Sequence, residues 1–211
     1  MINQTKYYKY HCATKGRYSQ CRDWVFQTVL AGFNKQPITI LEVGCLTDIS
    51  GRYGNGNSTM FWAEYLEAYG GKLVSIDNNE QHIKKSHEIL QSTFPDVFSS
   101  LVIGDAGGVI KAFKDNNFPV DFAYLDGSNN PMETLEQFEL LREINPNCVI
   151  LIDDFNEKGT EVMKKYPICL IFGFTHPHEL GFYAPSIKET QKLINPKSPD
   201  DIMIEWSDFK E

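Results

Sequence analysis

No stretch of the chain approaches the ~20 apolar residues needed to cross a bilayer, and Met1 to Tyr10 is polar, without the apolar centre of a secretory leader. These absences predict a cytoplasmic protein with no membrane partner. Basic charge is also scarce. The net charge of -8 argues against a nucleic-acid partner, since phosphate binding relies on Lys and Arg displacing counterions. Cysteine is sparse: there are five, an odd number, and none forms a CxxC pair, which argues against a structural zinc site. Cys45, Cys148 and Cys169 lie in or beside apolar runs and read as small buried hydrophobes in a reducing compartment. Internal repeats and low-complexity segments are missing as well. With 211 residues, one domain can bury a proper core without disulfide or metal staples.

What is present is a row of short apolar runs that each end in an acid. Ile38-Thr39-Ile40-Leu41 precedes Glu42, Leu73-Val74-Ser75-Ile76 precedes Asp77, Phe122-Ala123-Tyr124-Leu125 precedes Asp126, and Val149-Ile150-Leu151-Ile152 precedes Asp153 and Asp154. Runs of this kind, spaced by segments long enough for helices, predict strands buried on both faces of a parallel sheet. Each then delivers its acid to the carboxyl edge, where ligands bind in open α/β folds. The spacing predicts strands over 38–43, 72–76, 99–103, 120–125 and 148–153. Helices are expected over 23–33, from Asn57 or Ser58, and near 79–91, 107–114 and 131–142, the last opened by Pro131. Beyond the fifth strand, the runs at 168–172 and 181–184 predict an antiparallel hairpin. The expected fold class is α/β: Rossmann-like, doubly wound, with a mostly parallel seven-stranded sheet and a C-terminal antiparallel hairpin. An arm and helix over 1–35, a main domain over 36–185 and a tail over 186–211 complete the organisation.

Five βα units followed by a hairpin resemble the class I S-adenosylmethionine-dependent methyltransferases, over roughly residues 36 to 184. Leu41-Glu42-Val43-Gly44 resembles the family's first motif, an acid two residues before the glycine that underlies the methionine part of the cofactor. Gly56-Asn57-Ser58-Thr59 resembles the close of the loop that follows, although Cys45 to Asn55 reads as an insertion and leaves the roles of Gly51 and Gly54 open. Ser75-Ile76-Asp77 resembles the second motif, whose acid takes both ribose hydroxyls, and Gly104-Asp105-Ala106 the third, whose acid meets the adenine amino group. The resemblance therefore implies S-adenosyl-L-methionine as cofactor, held by Glu42, Gly44, Gly56, Ser58, Asp77, Asp105 and Ala106.

The chemistry of the residues fits. A ribose offers two adjacent hydroxyl donors, which one carboxylate accepts through its two oxygens in charge-assisted bonds. Asp77 can do this, or it can cap the helix that follows. A pyridine-nucleotide protein would use the same acid, but it also wants Gly-x-Gly-x-x-Gly around a pyrophosphate, and the segment after Gly44 lacks the second glycine.

Asp126-Gly127 with Asp153-Asp154 resembles the metal-dependent sugar and catechol-type O-methyltransferases. Three carboxylates at one point would repel one another without a cation, and hard oxygen ligands suit Mg2+. Asp126, Asp153 and Asp154 are the expected metal ligands, and Asp126 and Asp153 the expected catalytic acids. No Lys or Arg at the strand ends stands ready to neutralise them. Such relatives place a general base just after the strand-four acid, where this chain reads Gly127-Ser128-Asn129-Asn130-Pro131. His176 and His178, in the expected hairpin turn, are the candidates for a displaced base, although a lone surface-turn histidine is more often solvent-exposed and inert.

The first 22 residues carry Lys6, Lys9, Lys15, Arg17 and Arg22, four tyrosines and no acid. A substrate-covering lid fits better than an RNA-binding arm on so acidic a protein. The expected activity is metal-assisted methyl transfer to a hydroxyl of a small molecule or sugar. Alternatives are a nucleic-acid methyltransferase, a cofactor-binding protein without transferase activity, and a protein resembling the cephalosporin hydroxylases, which share this fold and these acids. A homodimer is left open.

Overall fold

The strand with the longest fully buried run lies in the interior of the sheet. In a computed structural model, which describes residues 25–27, 29–46, 57–166, 170–173 and 179–183, β1 (Ile38–Val43) is buried at all six positions. It lies between β2 (Gly71–Asp77) and β4 (Phe122–Leu125), parallel to both. With β3 (Ser99–Ile103), β5 (Val149–Ile152), β6 (Leu170–Gly173) and β7 (Glu179–Tyr183), the order is β3-β2-β1-β4-β5-β7-β6. The first five strands are parallel, and β7 runs antiparallel to both β5 and β6. This is the expected sheet and hairpin.

Strand alternation sorts the core into two layers. Ile38, Ile40, Phe122, Tyr124 and Leu151 face one side, with α1 (Asn57–Tyr69), α2 (Glu80–Thr93) and the helical residues 25–27 and 29–31. Trp62 of α1 sits at the centre of that layer, its ring centroid 5.0 Å from Phe122 and 4.7 Å from Phe26. On the other side, Leu41, Val43, Ala123, Leu125, Ile150 and Ile152 pack with α3 (Ala106–Asp115) and α4 (Pro131–Ile144). Pro131 opens α4 as expected, and the Asn130 side chain caps it by accepting from the Met132 N–H.

Two helices escaped the sequence reading. α5 (Phe155–Lys158) and α6 (Thr160–Lys165) fill the interval between β5 and the hairpin. Four and six residues are too few to show a helical period. Among the described residues, no helix is long and apolar enough to cross a membrane. The N-terminal arm, most of the loop containing Gly51, Gly54 and Gly56, the hairpin turn with His176 and His178, and the tail lie outside the described residues.

Candidate functional site

The sheet changes direction of winding between β1 and β4, and a pocket opens at their carboxyl ends. Such a switch point is where ligands bind in open α/β sheets. The pocket encloses about 470 Å³, within the range of small-molecule sites. Its floor is Gly44, Cys45 and Gly127; Asp77, Asn78 and His82 form one wall, Gly104, Asp105 and Ala106 another, and Asp126 and Ser128 the far rim.

Gly44 is shaped for this place. Its φ of +87° is costly for other residues, and a Cβ there would lie 2.9 Å from the Asp126 carbonyl oxygen. Gly127 is equally confined, since a Cβ would come within 2.5 Å of Val43 Cγ1. Bare backbone thus lines the floor from both strands. Gly44→Ala is expected to cost about 1–2 kcal/mol from the backbone alone and to narrow the pocket. A melt and a cofactor titration identical to wild type would refute that role for Gly44.

Asp77 is the polar centre of the cofactor end. Its Oδ1 accepts the Asn79 N–H at 2.8 Å, and its Oδ2 lies 3.3 Å from both the Cys45 N–H and His82 Nδ1. The simple capping role is excluded, because the cap of α2 is Asn79, whose side chain accepts from the Gln81 N–H. Asp105 does cap: its Oδ2 accepts the Gly108 N–H at 2.8 Å at the start of α3 while the residue lines the pocket. Gly44, Asp77, Asp105 and Ala106 are therefore brought together as expected.

Glu42 and Ser58 require a correction. Neither lines the pocket, and Glu42 has no exposed surface for a cofactor to touch. Position 42 shares the parity of Ile38 and Ile40, so its carboxylate points into the core layer below the loop. There it accepts from Ser58 Oγ (2.7 Å), Thr59 Oγ1 (2.7 Å), Ser75 Oγ (2.8 Å) and Trp62 Nε1 (3.0 Å). Burial pushes Glu42 up to about 7, against the pull of these four donors. Thr59 Oγ1 in turn accepts the Leu46 N–H at 3.0 Å. Glu42 thus ties the loop after Gly44 to α1 and β2, a supporting role in place of direct contact. Beside it, burial and then the Asp77 charge push the Cys45 thiol well above its usual range, which makes it a poor nucleophile.

Of the acids after β4 and β5, Asp126 and Asp154 meet at one lysine, whereas Asp153 turns to a tyrosine. Only Asp126 lines the pocket. Lys158, from the unforeseen α5, places Nζ 2.7 Å from Asp126 Oδ1 and 3.4 Å from Asp154 Oδ2. Asp153 is buried and accepts from the Tyr124 hydroxyl at 2.7 Å. Burial disfavours the lysine's charge, yet Asp126 first, then Asp153 and Asp154, outweigh it and hold Lys158 above the ordinary lysine range. The expectation that no basic group neutralises these acids is thus wrong. An ammonium already sits on Asp126 and Asp154, so the donor set as arranged does not fit a metal ion. Among the described residues, no group of three or more metal-ligating side chains is placed to hold one.

Ser128, Asn129 and Asn130 are turn and cap residues, with Ser128 Oγ accepting the Asn130 N–H at 3.0 Å. His82, Glu133 and Gln137 line the pocket without having been foreseen. Their signal was weak, because a polar residue in the first turns of a helix usually marks a solvated face.

The strand order, the switch-point pocket and the bare glycine floor define the class I S-adenosylmethionine-dependent methyltransferase fold. Residues 52–155, just under half of the chain, match the methyltransferase domain family. The chain is 28% identical over 120 residues to a 2-methyl-6-phytyl-1,4-hydroquinone methyltransferase of Synechocystis sp., across 57% of this chain. The match spans only 33% of that relative's length. Among solved structures, the chain is similar to an O-methyltransferase from Bacillus cereus in complex with SAH, with a TM-score of 0.52, 17% identity, and coverage of 92% of this chain and 75% of that one. It is also similar to a candidate rRNA methylase from Clostridium thermocellum, with a TM-score of 0.57, 16% identity, and coverage of 81% and 97%. At these identities the likeness extends to the fold alone, which both acceptor classes share.

Proposed function

We propose that the protein transfers the methyl group of S-adenosylmethionine to a hydroxyl of a small molecule or sugar. The observation that carries this reading is the pocket at the β1/β4 switch point, which gathers a bare glycine floor, the Asp77 carboxylate and the Asp105–Ala106 turn; the sequence after Gly44 carries no Gly-x-Gly-x-x-Gly pattern. Gly44 underlies the methionine part, Asp77 accepts the ribose hydroxyls and Asp105 with Ala106 borders the adenine. The cofactor, when bound, supplies an electrophilic sulfonium methyl. Asp126 and Ser128, on the far rim, face the acceptor and orient its oxygen; holding it in line is where most of the acceleration arises. Divalent-metal assistance is not part of this reading, because Lys158 occupies the carboxylates that would bind the ion. A small acceptor is favoured over nucleic acid by the net charge of -8.

The test is transfer of labelled methyl from S-adenosylmethionine to a panel of catechols, sugars and RNA. Label on a hydroxylated small molecule supports the proposal; label on RNA alone replaces it with the nucleic-acid reading. In the same assay, deleting residues 1–18 is expected to raise the acceptor KM while leaving cofactor affinity nearly intact, since every cofactor-contacting residue proposed lies after residue 38. Loss of cofactor affinity on deletion would contradict the lid role of the basic arm.

A further inference from the structure

Three carboxylates at adjacent strand ends raise the question of what neutralises them, and the position of Lys158 provides an answer. Its side chain is only 4% exposed, whereas those of Asp126 and Asp154 are 25% and 29% exposed. A long, flexible cation has thus been drawn out of water to lie against acids that remain partly hydrated. An incidental surface pair would leave the ammonium in solvent.

The chain delivers the lysine by a specific device. Asp154 adopts a left-handed conformation (φ 43°, ψ 49°), which an Asp tolerates better than most residues, and this turns the chain sharply at the end of β5. Its carbonyl accepts the N–H groups of Glu157 and Lys158, both at 2.9 Å, so that Lys158 stands one turn above Asp154. Phe155 anchors the turn. Its ring lies against Gly159 and against Gly181 of β7, and a Cβ on either glycine would come within 2.0 Å of it. With Phe155 fixed in the core, Lys158 is aimed back over the strand ends.

We propose that Lys158 is a built-in counter-ion that takes the place of a divalent metal beside Asp126 and Asp154, so that the folded protein binds no divalent cation at these strand ends. The ammonium donates to carboxylate oxygens at 2.7 and 3.4 Å; magnesium would need its oxygens at about 2.0–2.1 Å. The two cannot share the position, since a dication beside a buried ammonium adds repulsion where the carboxylates already have a partner. The consequences differ chemically as well. A metal would coordinate an acceptor oxygen directly and lower its pKa, whereas the lysine fixes the Asp126 carboxylate at the rim of the pocket. Lys158 is thus a positioning residue, acting through Asp126. This role rests on the methyltransferase reading for what the rim contacts, but the counter-ion assignment itself does not.

The test combines Mn2+ binding followed by electron paramagnetic resonance with thermal melts in Mg2+, Mn2+ or chelator, on wild type, K158M, K158R and K158M/D154A. Wild type and K158R should bind no Mn2+ and melt at the same temperature in all conditions. K158M should melt several degrees lower than wild type in every condition, because it leaves Asp126 and Asp154 without their cation, and K158M/D154A, with one acid fewer to neutralise, should recover part of that loss. Stoichiometric Mn2+ binding by wild type overturns the proposal whether or not K158M folds. A K158M that melts with wild type overturns it too. S-adenosylhomocysteine titrations on the same samples separate the two readings: a wild type that fails to bind it refutes the methyltransferase proposal while leaving the metal result to judge the lysine.

Discussion

Replacing Glu42 by Ala is expected to destabilise the protein by about 3–5 kcal/mol, a loss on the scale of its whole stability margin, because it strands donors in the core. Ser58, Thr59, Ser75 and Trp62 all point at that carboxylate, and the Trp62 N–H can only donate. Cofactor affinity should fall with stability, since the same network braces the Leu46 N–H through Thr59. Gln is a far milder change. Its amide oxygen can accept from Ser58 and Trp62 while its NH2 donates to the other two hydroxyls, once these rotate.

The pair of variants also separates charge from hydrogen bonding. With burial pushing Glu42 from 4.5 to about 7, the folded state holds the proton more tightly than the unfolded one. The contribution of this group is therefore most favourable below the unfolded value, declines as pH rises through the window from 4.5 to about 7, and is level above it. Over that window the penalty grows by about 3 kcal/mol. Gln has no proton to lose, so the stability of Glu42→Gln relative to wild type should improve by that order between pH 5 and pH 8 in denaturant titrations. A difference independent of pH would show that Glu42 ionises normally within its ring of donors.

The second large effect is on binding. Asp77→Ala should weaken S-adenosylhomocysteine by at least tenfold, because a ribose loses two charge-assisted bonds worth ~1.5–3 kcal/mol each. Part of the loss comes from the protein, since Asp77 also accepts the N–H groups of Cys45 and Asn79. Asp77→Asn is the control for that part: it keeps an acceptor oxygen but no charge, and should fall between the two. Calorimetry showing the same affinity for Asp77→Ala and wild type would place the ribose elsewhere.

The sheet was legible because its central strands are buried on both faces, which forces unbroken apolar runs, and because each run stops at an acid. Those acids marked the edge correctly but not their roles. Glu42 sits where the motif suggests a cofactor contact, but its parity with Ile38 and Ile40 points it into a core layer, where Ser58, Thr59 and Ser75 supply donors. Lys158 is not legible from periodicity, because α5 is only four residues long. The signal lay in the i,i+4 pair of Asp154 and Lys158, an acid followed one turn later by a base. His82, Glu133 and Gln137 reach the pocket through the packing of α2 and α4 on the sheet, a property of tertiary geometry that no local pattern encodes.

The central claim is that the β1/β4 switch-point pocket holds S-adenosylmethionine through the strand-end acids. A crystal structure of the protein grown with S-adenosylhomocysteine tests it most directly. The account predicts the methionine portion over Gly44, the ribose hydroxyls on Asp77 and the adenine beside Asp105 and Ala106. An empty pocket at saturating ligand, or the ribose directed away from Asp77, would contradict it.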